Sequence, residues 1–358
     1  MAAPKPSGRR VAEPPERTYT RGGSRLQAAL LRVSVAAWIL GWLVGTGVAL
    51  GEVVDVPRLP GWAPPYGAAA LTVLLTIALT RRSGGRVWFW TLLVSAFVAL
   101  VLVAEEPWLY SSAAVLVAVV GAVVSVLLTR PAPTYIRLVY EYAIALVLAV
   151  SAALAVAAYD APVSSARYDV LVLALTLAGS MALVWRLGAG FHGLGRRGVL
   201  LIVAGAVLVA AVLVYSRILQ EYGSASVTGA VEDVVGWTRD RLNAVPRPIE
   251  VLVGFPALLW GVHTRAHRRQ GWWMCAFGTF GTATIATTLA APRIDPAYAG
   301  RSLLYSIGLG LLIGLVVLRV DAVVTRRRMA SAAGRRARRD QVEPESQRPE
   351  PRRSHPLR

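Results

Sequence analysis

Glu105-EPWLYSSAAVLVAVVGAVVSVLLTR-Pro131 decides the fold class. Between Glu106 and Arg130 it holds no charged residue. Its apolar run, Trp108–Thr129, is as long as the ~20 residues a helix needs to cross the hydrocarbon of a bilayer. Two carboxylates stand before it, and an arginine and a proline close it. A spanning helix with one acidic and one basic end is the simplest reading, and the rest of the chain repeats it.

Outward from this run, similar runs recur in both directions. They cover Val33–Gly51, a second ending at Thr80, Val87–Ala104, Ile136–Tyr159, Val170–Leu187, Gly198–Leu219, Val251–His263, Trp272–Ala291 and Ser302–Val320. With the quoted run that makes ten. The expected fold is all-α: a polytopic integral membrane helix bundle of about 10 transmembrane helices. Its domain plan is a disordered basic tail over 1–25, a bundle over 26–322 and a disordered basic tail over 323–358. Hydrophobic residues make up 55% of the 358 residues, which fits this plan. No short apolar core with a small-residue cleavage site precedes the first run, so no removable signal peptide is expected.

The charges orient the bundle. Arg81, Arg82, Arg86, Arg130, Arg265, Arg268 and Arg269 follow runs on the side that both tails share, while Glu52, Asp55, Glu105, Glu106, Asp160 and Asp295 fall opposite. Single arginines such as Arg58, Arg167 and Arg293 are outnumbered exceptions. The positive-inside rule then puts both termini of a multi-pass chain in the cytoplasm. The net charge of +18 does not argue for nucleic acid, because the arginines sit at run ends and in the tails. Arg326, Arg327, Arg328, Arg335, Arg336, Arg338 and Arg339 would instead meet the anionic inner leaflet, each contributing ~1 kcal/mol near that surface. Cys275 is the only cysteine and lies in an apolar run, so neither an internal disulfide nor a cysteine-based zinc site is expected.

One connection is long. Residues 221–250 fall outside in this orientation and read as an amphipathic helix. Val227, Val231, Val234, Leu242 and Val245 share one face, and Glu232, Arg239, Asp240 and Asn243 the other, with Trp237 at the margin. Ser224 or Ser226 is its candidate cap, and Pro246 and Pro248 stop it by removing backbone donors. It lies flat on the lipid surface or lids a cavity formed by the last three runs.

Chemistry is sparse. Gly188-Ala-Gly190-Phe-His-Gly193 matches a dinucleotide fingerprint as text but joins two membrane runs, without the strand or the later carboxylate that the fold requires. No cofactor is expected. His192, Arg196 and Arg197 beside these glycines are candidates for a lipid phosphate contact. His263 and His267 stand at metal-sharing spacing but are crowded by Arg265, Arg268 and Arg269, which repel a cation, so no metal site is expected. Glu141 lies more than a turn inside the fifth run, four residues after Arg137, and the two form a candidate intramembrane ion pair. Gly254 and Pro256 interrupt the eighth run, Thr279 and Thr282 put hydroxyls on the ninth, and Ser302, Ser306, Gly310 and Gly314 stripe the tenth. Gly254, Pro256, Thr279, Thr282, Ser306 and Gly310 are therefore the candidate substrate pathway; ordinary close helix packing explains the same residues. No catalytic residues are assigned.

Arg186-LGAGFHGLGRR-Gly198 and Ile249-EVLVGFPALLWGVHTRAHRRQGWWMCAF-Gly278 resemble uncharacterised multi-pass membrane proteins of high-GC Gram-positive bacteria, some with permease-like names. The resemblance implies class and compartment, and no site residues. Three functions compete. The first is permease- or flippase-like translocation of an uncharged or amphipathic solute or envelope lipid. The second is a scaffold or accessory subunit with envelope-assembly partner proteins. The third is a transferase acting on a lipid-linked sugar, with Asp55, Glu105, Glu106, Asp160 and Asp233 as outer carboxylates and no outer histidine.

Overall fold

A computed structural model describes residues 25–54, 59–163, 165–186, 203, 207, 233, 236–267, 271–290, 295–336, 351 and 353–357. Among the described residues every regular element is helical: α1 (Arg25–Val54), α2 (Ala63–Ser83), α3 (Val87–Ala104), α4 (Pro107–Leu127), α5 (Tyr135–Ala158), α6 (Ser165–Arg186), a π-helical turn (Ile249–Gly254), α7 (Phe255–Arg265), α8 (Gly271–Leu289) and α9 (Pro296–Arg336). The contacts divide the chain into residues 1–39 and 40–358. The first unit, from Arg25 on, is helical, and within it the Ser34 hydroxyl donates back to the Leu31 carbonyl at 2.9 Å. All that follows concerns the second.

Seven described helices, α1 to α6 and α9, are long and apolar enough to cross a membrane. Ten runs were expected. Of the other three, Val251–His263 forms the π turn and α7, Trp272–Ala291 forms α8, and Gly198–Leu219 lies outside the described residues except for Val203 and Val207. The helices expose apolar surface as a lipid-facing bundle does. Leu92 and Leu93 of α3 and Leu312 and Val316 of α9 are each at least half exposed. In water such faces would be patches requiring cover. Exposed Trp62 and Trp108 begin α2 and α4, and exposed Trp88 and Trp90 begin α3 at the other end, as two aromatic belts would lie.

The ends sort by charge. Arg82 donates to the Leu127 carbonyl and Arg265 to Thr129, which gathers the arginine-rich helix ends; we call this the arginine end. At the acidic end, Glu105 and Asp160 close α3 and α5 in left-handed conformations, with φ of 53° and 42°. Neither is glycine, and each residue carries the steric cost of stopping its helix abruptly.

The centre of the bundle is α8. It packs against α4, α5, α6, α7, α9 and the π turn, and all but two of its residues are buried. Its buried threonines satisfy themselves: Thr279, Thr284 and Thr287 donate to the carbonyls three residues back, at 2.6, 3.0 and 3.2 Å, and Thr288 donates four back at 2.7 Å. That habit permits hydroxyls in a dry helix interior. The small-residue stripe on α9 faces the π turn and α7. A methyl added at Gly310 would lie 2.7 Å from Phe255, so only glycine permits this approach.

At 41 residues, α9 is about 60 Å long, far more than the ~30 Å of hydrocarbon. Sequence assigns 323–358 to a disordered tail. The helix instead continues through Arg336, and Pro351 and Arg353–Leu357 lie against the bundle. The 221–250 helix is described only in part. Residues 236–242 are helical, and the helix ends at Leu242, short of the expected Val245. Asn243 takes a left-handed φ of 51° and donates its amide to the Arg239 carbonyl at 2.8 Å. Asparagine tolerates that cap conformation, so the stop comes before the prolines.

Candidate functional site

The chain leaving Asn243 is fastened to α9. The Tyr305 hydroxyl donates to the Leu242 carbonyl at 3.3 Å, and the Ser302 hydroxyl to the Val245 carbonyl at 2.5 Å. The Arg247 amide then donates to the Ser306 hydroxyl at 2.9 Å. Pro246 and Pro248 flank Arg247 and cannot donate to a helix ladder, and residues 245–247 are not helical. The Arg247 guanidinium turns inward and donates to the Thr284 carbonyl of α8 at 3.0 Å.

The π turn begins one residue after Pro248. The Phe255 amide reaches the Glu250 carbonyl, an i to i−5 bond. Pro256 has no amide for the carbonyl four residues before it, so the ordinary ladder is already broken there. Gly254 lets the turn sit directly on the Gly281 backbone. The wide turn carries Glu250 inward, and such turns recur at functional sites.

Glu250 is 1% exposed. Arg247, Ser306 and Thr284 surround its carboxylate, yet neither oxygen makes a hydrogen bond of good geometry. On α6, Asp169 faces the same guanidinium and the Thr287 hydroxyl, and its Oδ1 is buried without a hydrogen-bond partner. Ion pairs among the described residues are Arg353 with Glu141 and Arg301 with Asp295, so Arg247 closes one with neither neighbour. Two carboxylates thus share one guanidinium that touches neither. Burying charge without full pairing costs several kcal/mol, and folds retain such residues chiefly at functional sites.

Glu250 and Arg247 line a cavity of about 150 Å³ at the acidic end. Its other walls are apolar or nearly so: Val53 of α1, Val150 and Leu154 of α5, Ile285, Thr288 and Leu289 of α8, and Pro296, Ala299, Gly300 and Leu303 of α9. The volume is about that of five waters at ~30 Å³ each. An apolar chamber with a few convergent polar groups is the usual form of a small-molecule site. A larger hollow of about 600 Å³ lies among α1, α2 and α3, but no charged residue lines it. It suits an acyl chain, and its hydroxyl-bearing lining is Tyr66 and Ser95.

The sequence-derived candidates divide. Ser306 holds the Arg247 amide, and Gly254 and Pro256 shape the turn that carries Glu250. Gly310 packs on Phe255. Thr279 and Thr282 face away from the cavity: Thr279 donates to Ser180 of α6 at 3.4 Å, and Thr282 to the Ala122 carbonyl of α4 at 3.0 Å. Glu141 does not pair with Arg137. Arg137 is exposed on the first turn of α5, whereas Glu141 is buried, accepts the Arg130 amide at 2.9 Å and pairs with Arg353. His192, Arg196 and Arg197 lie outside the described residues. His263 stacks on Tyr135 and contacts the Ala132 carbonyl, at the arginine end.

Asp169, Arg247 and Glu250 escaped the sequence reading. Each abuts an apolar run and looks like a loop residue at its edge. The usable signal was Pro246-Arg-Pro-Ile-Glu250, two charges locked between prolines directly before a run broken by Gly254 and Pro256. No family model matches the chain, and neither a curated protein nor a solved structure is similar to it.

Proposed function

We propose that this chain is a bacterial plasma-membrane protein, with both termini in the cytoplasm, that binds and translocates an amphipathic solute or envelope lipid in a permease- or flippase-like manner. One observation carries the reading: an apolar cavity at the acidic end whose polar corner holds a buried carboxylate that closes no ion pair and makes no hydrogen bond of good geometry, beside a guanidinium. A ligand with an apolar body and a hydrogen-bonding or cationic head would cover the walls and satisfy Glu250. The segment 242–247, fastened to α9 by Ser302, Tyr305 and Ser306, is the moving part. Joined directly to a π turn, it can carry Glu250 with it. The arginine-rich end of α9 meets the anionic inner leaflet in this orientation.

The test uses purified protein in vesicles of phosphatidylethanolamine and phosphatidylglycerol, with NBD-phosphatidylethanolamine as probe. Dithionite bleaching of inner-leaflet probe should be faster than in protein-free vesicles and should return to the protein-free rate in Glu250→Met. Equal rates with and without protein, for this lipid and for a panel of small amphipathic amines, would overturn translocation. A stoichiometric co-purified protein would then favour the scaffold reading, and a turnover product from a lipid-linked sugar the transferase reading.

A further inference from the structure

The opposite end of the bundle holds a second arrangement that the cavity does not use. Pro351 and Arg353–Leu357 lie across α2, the α4–α5 connection and the start of α5. Arg82 is fully buried at the end of α2, and its Nη1 donates to the carbonyls of Pro351 at 3.3 Å and His355 at 2.9 Å. Its Nε donates to the Leu127 carbonyl at 3.3 Å, which fixes the guanidinium to α4. Its own carbonyl accepts the Leu357 amide at 3.2 Å. One residue therefore grips the backbone of the segment at three points.

Side-chain recognition comes from Arg353. Its Nε donates to the Leu128 carbonyl at 3.0 Å, its Nη2 meets Glu141, and its guanidinium lies 5.9 Å from the Tyr140 ring. Glu141 is only 6% exposed, and its other oxygen is held by the Arg130 amide. The site is built around this carboxylate. A buried, oriented carboxylate without a cation is a costly arrangement, and Arg353 is the cation that reaches it. Charge alone would drive an arginine-bearing tail away from this end, where Arg81, Arg82, Arg130 and Arg265 gather. A specific acceptor overcomes that repulsion. Here backbone bonds hold the segment and one side-chain pocket selects the arginine, the division of labour by which folded proteins read short peptides.

We infer that this end of the bundle is a binding site for a short, turn-forming, arginine-bearing peptide, filled in the native chain by its own Pro351 and Arg353–Leu357. The inference stands independently of the cavity and its ligand. A tethered occupant acts at an effective concentration up to the millimolar range, so a free peptide competes poorly with it.

Two measurements test this. The first uses full-length protein in nanodiscs and a fluorescein-labelled peptide of residues 350–358, read by anisotropy. Wild type should bind it weakly. Arg353→Ala, which empties the pocket of its native guanidinium, should bind it at least about 10-fold tighter, by relief of the tethered competitor. The same peptide with alanine for its Arg353 should not bind, and protein carrying both Arg353→Ala and Glu141→Gln should lose the gain. Equal binding to wild type and Arg353→Ala, or to empty nanodiscs, overturns the proposal. The second needs no variant. Amide exchange on the wild-type chain should find Leu357 protected; exchange there at the rate of an unstructured peptide would be equally fatal.

Discussion

Replacing Glu250 with methionine should make this protein more stable and less functional. Glu250 is 1% exposed, and although Ser306 and Thr284 lie beside it, neither of its oxygens makes a hydrogen bond of good geometry. A buried polar group left unsatisfied costs about 1–3 kcal/mol, more when charged. Methionine matches the length of the side chain and removes that cost. Against this, Arg247 loses its nearest opposite charge on the π turn. The loss is softened in three ways: Arg247 is half-buried, it donates to the Thr284 carbonyl, and it faces Asp169. The balance favours the variant by about 1–3 kcal/mol, within the ~1–4 kcal/mol by which apolar replacements of buried ionic groups stabilise proteins. In thermal unfolding of detergent-purified protein this is a rise of a few degrees, since ~1 kcal/mol moves midpoints by about 2–4 °C at 150–250 residues and less in longer chains. A merely structural Glu250 would behave oppositely, as Glu141 should when its pairing with Arg353 is cut. A fall in melting temperature for Glu250→Met would mean that this carboxylate stabilises the fold and is not held at a cost for a ligand.

Other perturbations read the scaffold. Arg265 spans the Thr129 hydroxyl at 3.0 Å and carbonyl at 2.8 Å and stacks 3.8 Å from the Trp272 ring; Arg265→Lys keeps the charge but loses the fork and the stack, and denaturation should show a loss of about 2–4 kcal/mol. Gly310→Ala should cost about 1–3 kcal/mol through its clash with Phe255, measured the same way. Ser302→Ala removes the bond to the Val245 carbonyl, worth ~1 kcal/mol. Its effect should be local, with faster tryptic cleavage at Arg239 and Arg241 and an unchanged global midpoint.

The helices were legible because their ends are punctuated. Pro107 opens α4, Gly84 closes α2 in a left-handed conformation with φ of 73°, and arginines or carboxylates mark most termini. The stripe from Ser302 to Gly314 announced a close contact, and α9 does approach the π turn and α7 along it. Which helix lies innermost was not legible. In a soluble bundle the polar face marks the outside, but here lipid and core are both apolar and the pattern has no such contrast. The central α8 even reads as the more polar helix, because its threonines bond to their own backbone. Glu250 was hidden for another reason. Its inward position depends on a π turn, which no residue periodicity encodes. The partner of Glu141 was hidden by separation, since Arg353 lies at the far end of the chain and local spacing pointed to Arg137.

On the proposed reading, Glu250 and Arg247 hold the head of a ligand in the acidic-end cavity. Native mass spectrometry of the protein released from nanodiscs tests it most directly, comparing wild type with Glu250→Met at equal loading. The expected result is a discrete bound mass of an amphipathic molecule on wild type, lost from Glu250→Met while the variant stays folded and at least as stable. Wild-type protein carrying no such mass, or both proteins carrying it alike, would mean that Glu250 holds no ligand in this cavity.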